Sequence, residues 1–421
     1  MSSTHGFCTF RGFIAWILLA FASLFLVPSN AFCQEIDLLE YRQTRIASAI
    51  EGFMTTHKYK LGIFRILPVG SLRAGYDTNA LYTQVDPVTD YYIESMVGAS
   101  IGMKFGQSAY LRIIEEFTFL YYKELDQRRD IYNTTRAEVV TGTGETLITF
   151  RGGYLSNREP LNNEVDIPVD TKSWDAGMHV DHTLTSKLDF RTDFNFNQTE
   201  YEPIEGVAPG IPPLSTGTRS YTFGGGVDYW LKDTFRITTD GHVGYANDVE
   251  TDFSSNFWSF QGGFRFAKTR WAGHARGGIG QSDTGDGNQS TYVLSGDVTY
   301  VMGKRISIGF GASRNYQLSG FALGAFYIQT QGNFHFSAPI IERVSVSGSY
   351  IFGENDYGDV PVNGQIIDHD TYRGARATAN VRIIWRFHVV TGVEYYKRDS
   401  NIPGLSKELT NFLLGFGISL F

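Results

Sequence analysis

The chain has 421 residues, 42% of them hydrophobic and 15% aromatic, with 46 Gly against 12 Pro and a formal net charge of −8. So many aromatics beside only 19% charged residues exclude a disordered chain, and the acidic balance excludes a general nucleic-acid binder. Two Cys exclude a disulfide scaffold and a Cys-based zinc site, while abundant Gly, Tyr and Phe at a mean hydropathy of −0.18 point to many strands of alternating apolar and polar residues.

The N-terminus reads as a secretory signal peptide over residues 1–31. Arg11 precedes an apolar run from Gly12 to Val27, shorter than the ~20 residues of a membrane-spanning helix. Ser29 and Ala31 then fit a small-x-small cleavage pattern, so the mature chain is expected to begin at Phe32. Lipid attachment at Cys33 is disfavoured by the bulky Phe32 before it, and Cys33 is left as the lone thiol of an exported protein. No later stretch is long and apolar enough for a second helical span.

Residues 32–66 are expected to form a short periplasmic or lumenal segment. Between Glu35 and Lys60, Leu38, Leu39, Ile46, Ile50, Phe53 and Met54 recur at helical spacing, which predicts one amphipathic helix. From Leu67 to Phe421 the period becomes two. It is clearest where Leu188, Phe190, Thr192, Phe194 and Phe196 alternate with Asp189, Arg191, Asp193, Asn195 and Asn197. About 18 such segments fit, roughly 20 residues for each strand with its connection, as a spanning strand with alternating short and long links requires.

Tight turns are expected at 106–108, 142–145, 185–187, 232–233, 268–270, 303–305 and 385–386. Longer connections are expected at 79–89, 157–170, 202–217, 283–288, 354–368 and 399–405. The fold class is therefore all-β: a transmembrane antiparallel β-barrel of about 18 strands over 67–421, with short periplasmic turns and long extracellular loops, preceded by one short helix. A soluble propeller or solenoid leaves the alternating link lengths unexplained and would need a fixed repeat, which is absent. The location is then the outer membrane of a Gram-negative bacterium. The partners are outer-membrane lipid and lipopolysaccharide, and the barrel-assembly machinery through the last strand ending in Phe421.

Turning each apolar face outward sends Arg112, Arg136, Arg151, Arg191, Asp193, Arg236, Asp240, His242, Arg265, His274, Arg276, Arg376 and Arg382 into the lumen. Arg pairs bidentately with carboxylates, so these groups brace a wet wall, and some of them line a path for a polar or anionic solute. Glu115 breaks the scheme by sharing a face with Ile113, Phe117 and Phe119, which predicts a bulge or a shifted register there. The long connections together carry more negative charge than the whole chain, whereas Lys104, Lys187, Lys268, Arg270, Lys304, Arg305 and Arg386 make the turns basic.

Asp240 with His242, and His179 with Asp181, place acid and imidazole on one face, two residues apart. Such pairs arise in any polar wall, and no Ser stands in a nucleophile setting, so the chain is read as a non-enzyme with no cofactor and no metal. Gly224-Gly225-Gly226 and Gly277-Gly278 lie within strands rather than before a helix, which argues for curvature or close packing over phosphate binding.

The first barrel segment, Ser71 to Tyr82 with Tyr76, Asp77 and Asn79, resembles the opening of a family of outer-membrane porins associated with exopolysaccharide biosynthesis. That resemblance implies a channel passing a polar polymer, exopolysaccharide, with periplasmic export components as partners. The alternative is a general or substrate-selective diffusion porin for small polar solutes, and a third class is a surface adhesin or structural barrel.

Overall fold

The computed structural model describes residues 45–421 apart from 58, 79, 81–87, 126–129, 161–167, 203–216, 250–253, 284–287, 304, 319–325, 363–364, 385–386, 401–405 and 419–421. The signal segment, Cys33, residues 35–44 of the expected helix, Asn79, the turn at 385–386 and Phe421 fall outside the described residues.

The helix, α1, is Arg45–Thr56. It is shorter than the periodicity suggests at its C-terminal end, because Tyr59–Leu61 forms a small strand, β1, that pairs with the start of the next. The last turn of α1 is closed by its own threonines: Thr55 Oγ1 donates to the Glu51 carbonyl at 2.9 Å and Thr56 Oγ1 to that of Gly52 at 2.8 Å.

Eighteen strands come after it: β2 Phe64–Asp77, β3 Asp90–Phe105, β4 Ala109–Tyr122, β5 Asp130–Gly142, β6 Thr146–Pro160, β7 Pro168–Thr185, β8 Leu188–Glu202, β9 Gly217–Lys232 and β10 Phe235–Asp248, then β11 Ser254–Lys268, β12 Trp271–Asp283, β13 Asn288–Met302, β14 Ile306–Leu318, β15 Phe326–Ile341, β16 Val344–Val362, β17 Gln365–Ile384, β18 Phe387–Ser400 and β19 Lys407–Ile418. Each pairs antiparallel with its sequence neighbour, and β19 closes on β2 from Asn411↔Asp77 to Gly417↔Ser71. The result is a closed 18-strand antiparallel barrel with no free sheet edge among those strands.

Connections at one end are two or three residues long; those at the other reach 14, between β8 and β9. At the turn end, Gly106 takes the left-handed conformation (φ +60°) that the β3–β4 turn needs. Two segments expected as loops are partly or largely strand. The β16–β17 hairpin runs through 354–368, and β6 and β7 run to Pro160 and from Pro168. Turn-rich composition there does not stop pairing, because each strand satisfies the other's backbone groups outside the bilayer.

The strands run 12 to 20 residues, longer than the 9–11 needed to span, so they project beyond the bilayer. Phe117, Phe190, Phe223, Ile279 and Phe310 are exposed on the outer face, with aromatic pairs such as Tyr76–Tyr91 near the loop end and Trp271–Tyr300 near the turn end. A closed sheet with this apolar exterior and a polar interior spans an outer-membrane bilayer.

Candidate functional site: the barrel lumen

The lumen holds an ionic network on β8–β12. Arg191 on β8 bonds Asp240 on β10, donates to Thr238 Oγ1 at 2.6 Å and lies 3.4 Å from Asp228 on β9. Arg236 reaches Asp228 at 2.7 Å and stacks 5.1 Å from the Trp230 ring centre; Arg276 on β12 reaches the other oxygen of Asp240 at 2.8 Å. Asp228, Arg236 and Asp240 are buried, and Trp230 Nε1 donates to Asp189 Oδ2 at 2.6 Å beneath them. Asp228 and Asp240 therefore each face two guanidiniums, which fixes charge on the wall without leaving a buried ion alone.

Lumen-facing glycines decide which partners meet. Arg191, Gly226 and Asp240 are consecutive in cross-strand register, so Arg191 passes over β9 to a carboxylate two strands away. A Cβ at Gly226 would stand 2.7 Å from Asp240 Oδ1 and 3.0 Å from Arg191 Nε. Gly177 similarly lets Arg151 on β6 reach Asn195 on β8, and Gly153 lies under Asp175 on the path from Arg136, which is in the field of both Glu116 and Asp175. Gly224 lies between Asp193 and His242, where a Cβ would be 2.6 and 2.5 Å from them. The glycine run in β9 thus serves close side-chain approach.

The second arrangement is on β3–β6, where α1 lies inside the barrel against the turn-end half of the wall. Ile50 and Phe53 pack with Tyr110 and Val140, flanked by Met54 and Leu147. The Phe53 ring stacks on Tyr110 at 4.8 Å and presses on Gly102, where a Cβ would overlap it. Behind it His57 is fully buried. Its Nδ1–H donates to the Phe53 carbonyl at 3.0 Å, leaving Nε2 to accept from Ser100 Oγ at 2.7 Å. Burial, chiefly, pushes the His57 imidazole below its ordinary pKa, and Arg112 and Arg65 add to the push. Tyr110 donates to Glu138 at 2.9 Å and Arg112 meets the same carboxylate at 3.0 Å, tying the helix seat to the charged wall.

The thirteen expected lumen residues all occupy the strand faces opposite the exposed apolar ones. His274 pairs with Asp297 across β12–β13, and Arg382 Nη2 donates to the Glu342 carbonyl at 3.2 Å. Among the described residues Arg265, Arg376 and His242 have no hydrogen bond or ion pair. Two expectations are corrected. Asp240 and His242 do not pair, because two arginines take both Asp240 oxygens; His179 and Asp181 do, at 3.3 Å. Glu115 causes neither bulge nor shift: β3–β4 and β4–β5 pair without interruption, and its side chain faces outward. Among the described residues no group of His, Cys, Asp and Glu has the spacing of a metal site, and no helix is long and apolar enough to cross a membrane.

The seat for α1 is the part that sequence reasoning misses. The signal is weak: Tyr110, Val140 and Leu147 cluster as apolar residues on the lumen face close to the turn end, but the same face also carries Ile114, Leu120 and Leu155. The Asp77 of the Tyr-Asp-x-Asn motif is structural, buried inside the loop end with the Tyr122 hydroxyl donating to it at 3.2 Å.

No family model matches the chain, and no curated protein matches it. Solved structures similar in chain course include OccK2 (OpdF) of Pseudomonas aeruginosa in complex with glucuronate, at 10% identity and TM-score 0.48 over 86% of this chain and 99% of that one. OccK5 (OpdH) of the same organism gives 13% and 0.47 over 84% and 98%. The FrpB iron transporter of Neisseria meningitidis gives 11% and 0.49 over 80% of this chain and 64% of that one.

Proposed function

We propose that the protein is a passive channel for small polar solutes in the outer membrane, with α1 narrowing the turn-end mouth of its lumen. The observation that carries this reading is an apolar, closed exterior around a wall whose charges are largely clamped by Arg–carboxylate pairs, leaving Arg265, Arg376 and His242 without such partners among the described residues. Fixed charge of both signs lowers the cost of moving a hydrated polar solute past a low-dielectric wall without binding it tightly. The thirteen lumen residues are assigned to that path. Export of a polar polymer, which the opening motif implies, competes with this reading. It asks for a wider bore, and the docked helix occupies part of it.

The signal segment at 1–31, periplasmic turns, outward acidic loops, contact with lipopolysaccharide and recognition by the assembly machinery through the end of β19 belong to the same proposal. Planar-bilayer recording tests it. A steady open channel carrying small-ion current supports the diffusion channel. A closed channel, together with loss of secreted polysaccharide in a deletion strain, supports polymer export.

A further inference from the structure

Along β4 the outward positions are Leu111, Ile113, Glu115, Phe117, Phe119 and Tyr121, so one carboxylate faces the hydrocarbon half-way along a spanning strand. It is built in rather than stray. On β5, Asn133 Nδ2 donates to Glu115 Oε1 at 2.5 Å and Thr135 Oγ1 to Oε2 at 2.6 Å, both from the same outer face. All three side chains stay partly exposed. Around them the register places Ala99 opposite Glu115, and Ala137 opposite both Ile113 and Gly152. On the β3 side Ala99 leaves Glu115 open to what lies alongside the barrel; on the β6 side Ser156 and Gly152 are small and Tyr154, opposite Thr135, is the one bulky neighbour.

Hydrocarbon offers no hydrogen bonds, and small residues let a second surface come close enough to supply them. The triad's leftover capacity says which surface fits. Each Glu115 oxygen has lone pairs to spare, and among the described residues the second amide proton of Asn133 has no acceptor. Surplus donors and acceptors in one patch are complementary to the same patch rotated by a two-fold axis, whereas a surplus of acceptors alone would call for a cationic partner. We propose that the β3–β6 outer face pairs with the same face of a second copy of this chain in the membrane, with Asn133 of each protomer donating across the axis to Glu115 of the other.

Ala137 is exposed beside the triad, and Ala275, exposed on the outer face of β12, is a control on another part of the wall. In a Cys33→Ser background, Ala137→Cys in native outer membranes is expected to give a covalent dimer on oxidation, and Ala275→Cys is not. Adding Glu115→Leu with Asn133→Leu is expected to weaken self-association roughly tenfold or more, as loss of two symmetric interchain hydrogen bonds implies, while Glu115→Gln retains most of it. Heat-modifiable gel mobility reports that each variant is a folded barrel. The proposal is overturned if folded Ala137→Cys protein remains monomeric or is captured only by another protein. It is equally overturned by equal cross-linking at Ala275→Cys or by indifference to the Leu pair.

Discussion

Phe53 holds α1 in the lumen, and its removal should open the channel. Its ring is 6% exposed, stacked on Tyr110 at 4.8 Å and 4.4 Å from the His57 ring. Replacing a buried Phe by Ala costs about 3–5 kcal/mol in a closed core. The lower value suits a seat that borders the open lumen, and about 3 kcal/mol is a shift of roughly a hundredfold or more between docked and undocked helix. Most of the stability of an amphipathic helix comes from packing its apolar face, so the undocked segment also loses helical structure. Gly102→Ala delivers the same lesion from the wall, because its Cβ would overlap the Phe53 ring while the helix sequence is untouched. Both variants should show a larger single-channel conductance and faster proteolysis in the segment around 45–65. If both fold and both keep wild-type conductance, the helix does not restrict the bore and the reasoning is refuted.

Three further outcomes rest on named contacts. Asp240→Asn removes the charge that Arg191 and Arg276 share, so reversal potentials in a salt gradient should move toward anion selectivity; an unchanged potential would place the network off the permeation path. His57 is neutral when docked and its pKa is lowered by burial, so the free segment binds the proton more readily. Docking is therefore complete above the ordinary imidazole value of about 6.5 and weakens as pH falls below it, and acidification should raise conductance in wild type but not in His57→Gln. Arg398 and Asp370 form a pair 1% and 0% exposed between β18 and β17. Arg398→Ala breaks this buried ion pair at a cost of about 3–5 kcal/mol, to be read as a lower denaturation midpoint.

The barrel is legible in the sequence because a spanning strand obeys one rule along its whole length, and Leu188 to Asn197 displays it with only Thr192 departing from it. The face of Glu115 is legible too, although a carboxylate in that position looks like a register error; Asn133 and Thr135, eighteen and twenty residues later, make it tolerable. Choice of partner is not legible. Arg191 passes over Gly226 to Asp240 on the second strand along, so pairings inferred from adjacent strands go astray wherever a glycine opens the view. The helix expected to Lys60 ends at Thr56 because the apolar stripe closes at Phe53 and Met54, and Tyr59–Leu61 pair instead with the strand edge of β2. The strand through 354–368 is hidden by Gly, Asp, Pro and Asn residues, which signal turns only where no neighbour supplies hydrogen bonds.

The most direct test of the central claim is swelling of liposomes carrying the purified full-length mature protein, with uncharged sugars of graded size as the probe. The account requires entry of mono- and disaccharides at rates that fall steeply with size, and faster, less size-selective entry for Phe53→Ala. No swelling with any small sugar, in vesicles where the barrel is shown to be folded, would contradict it.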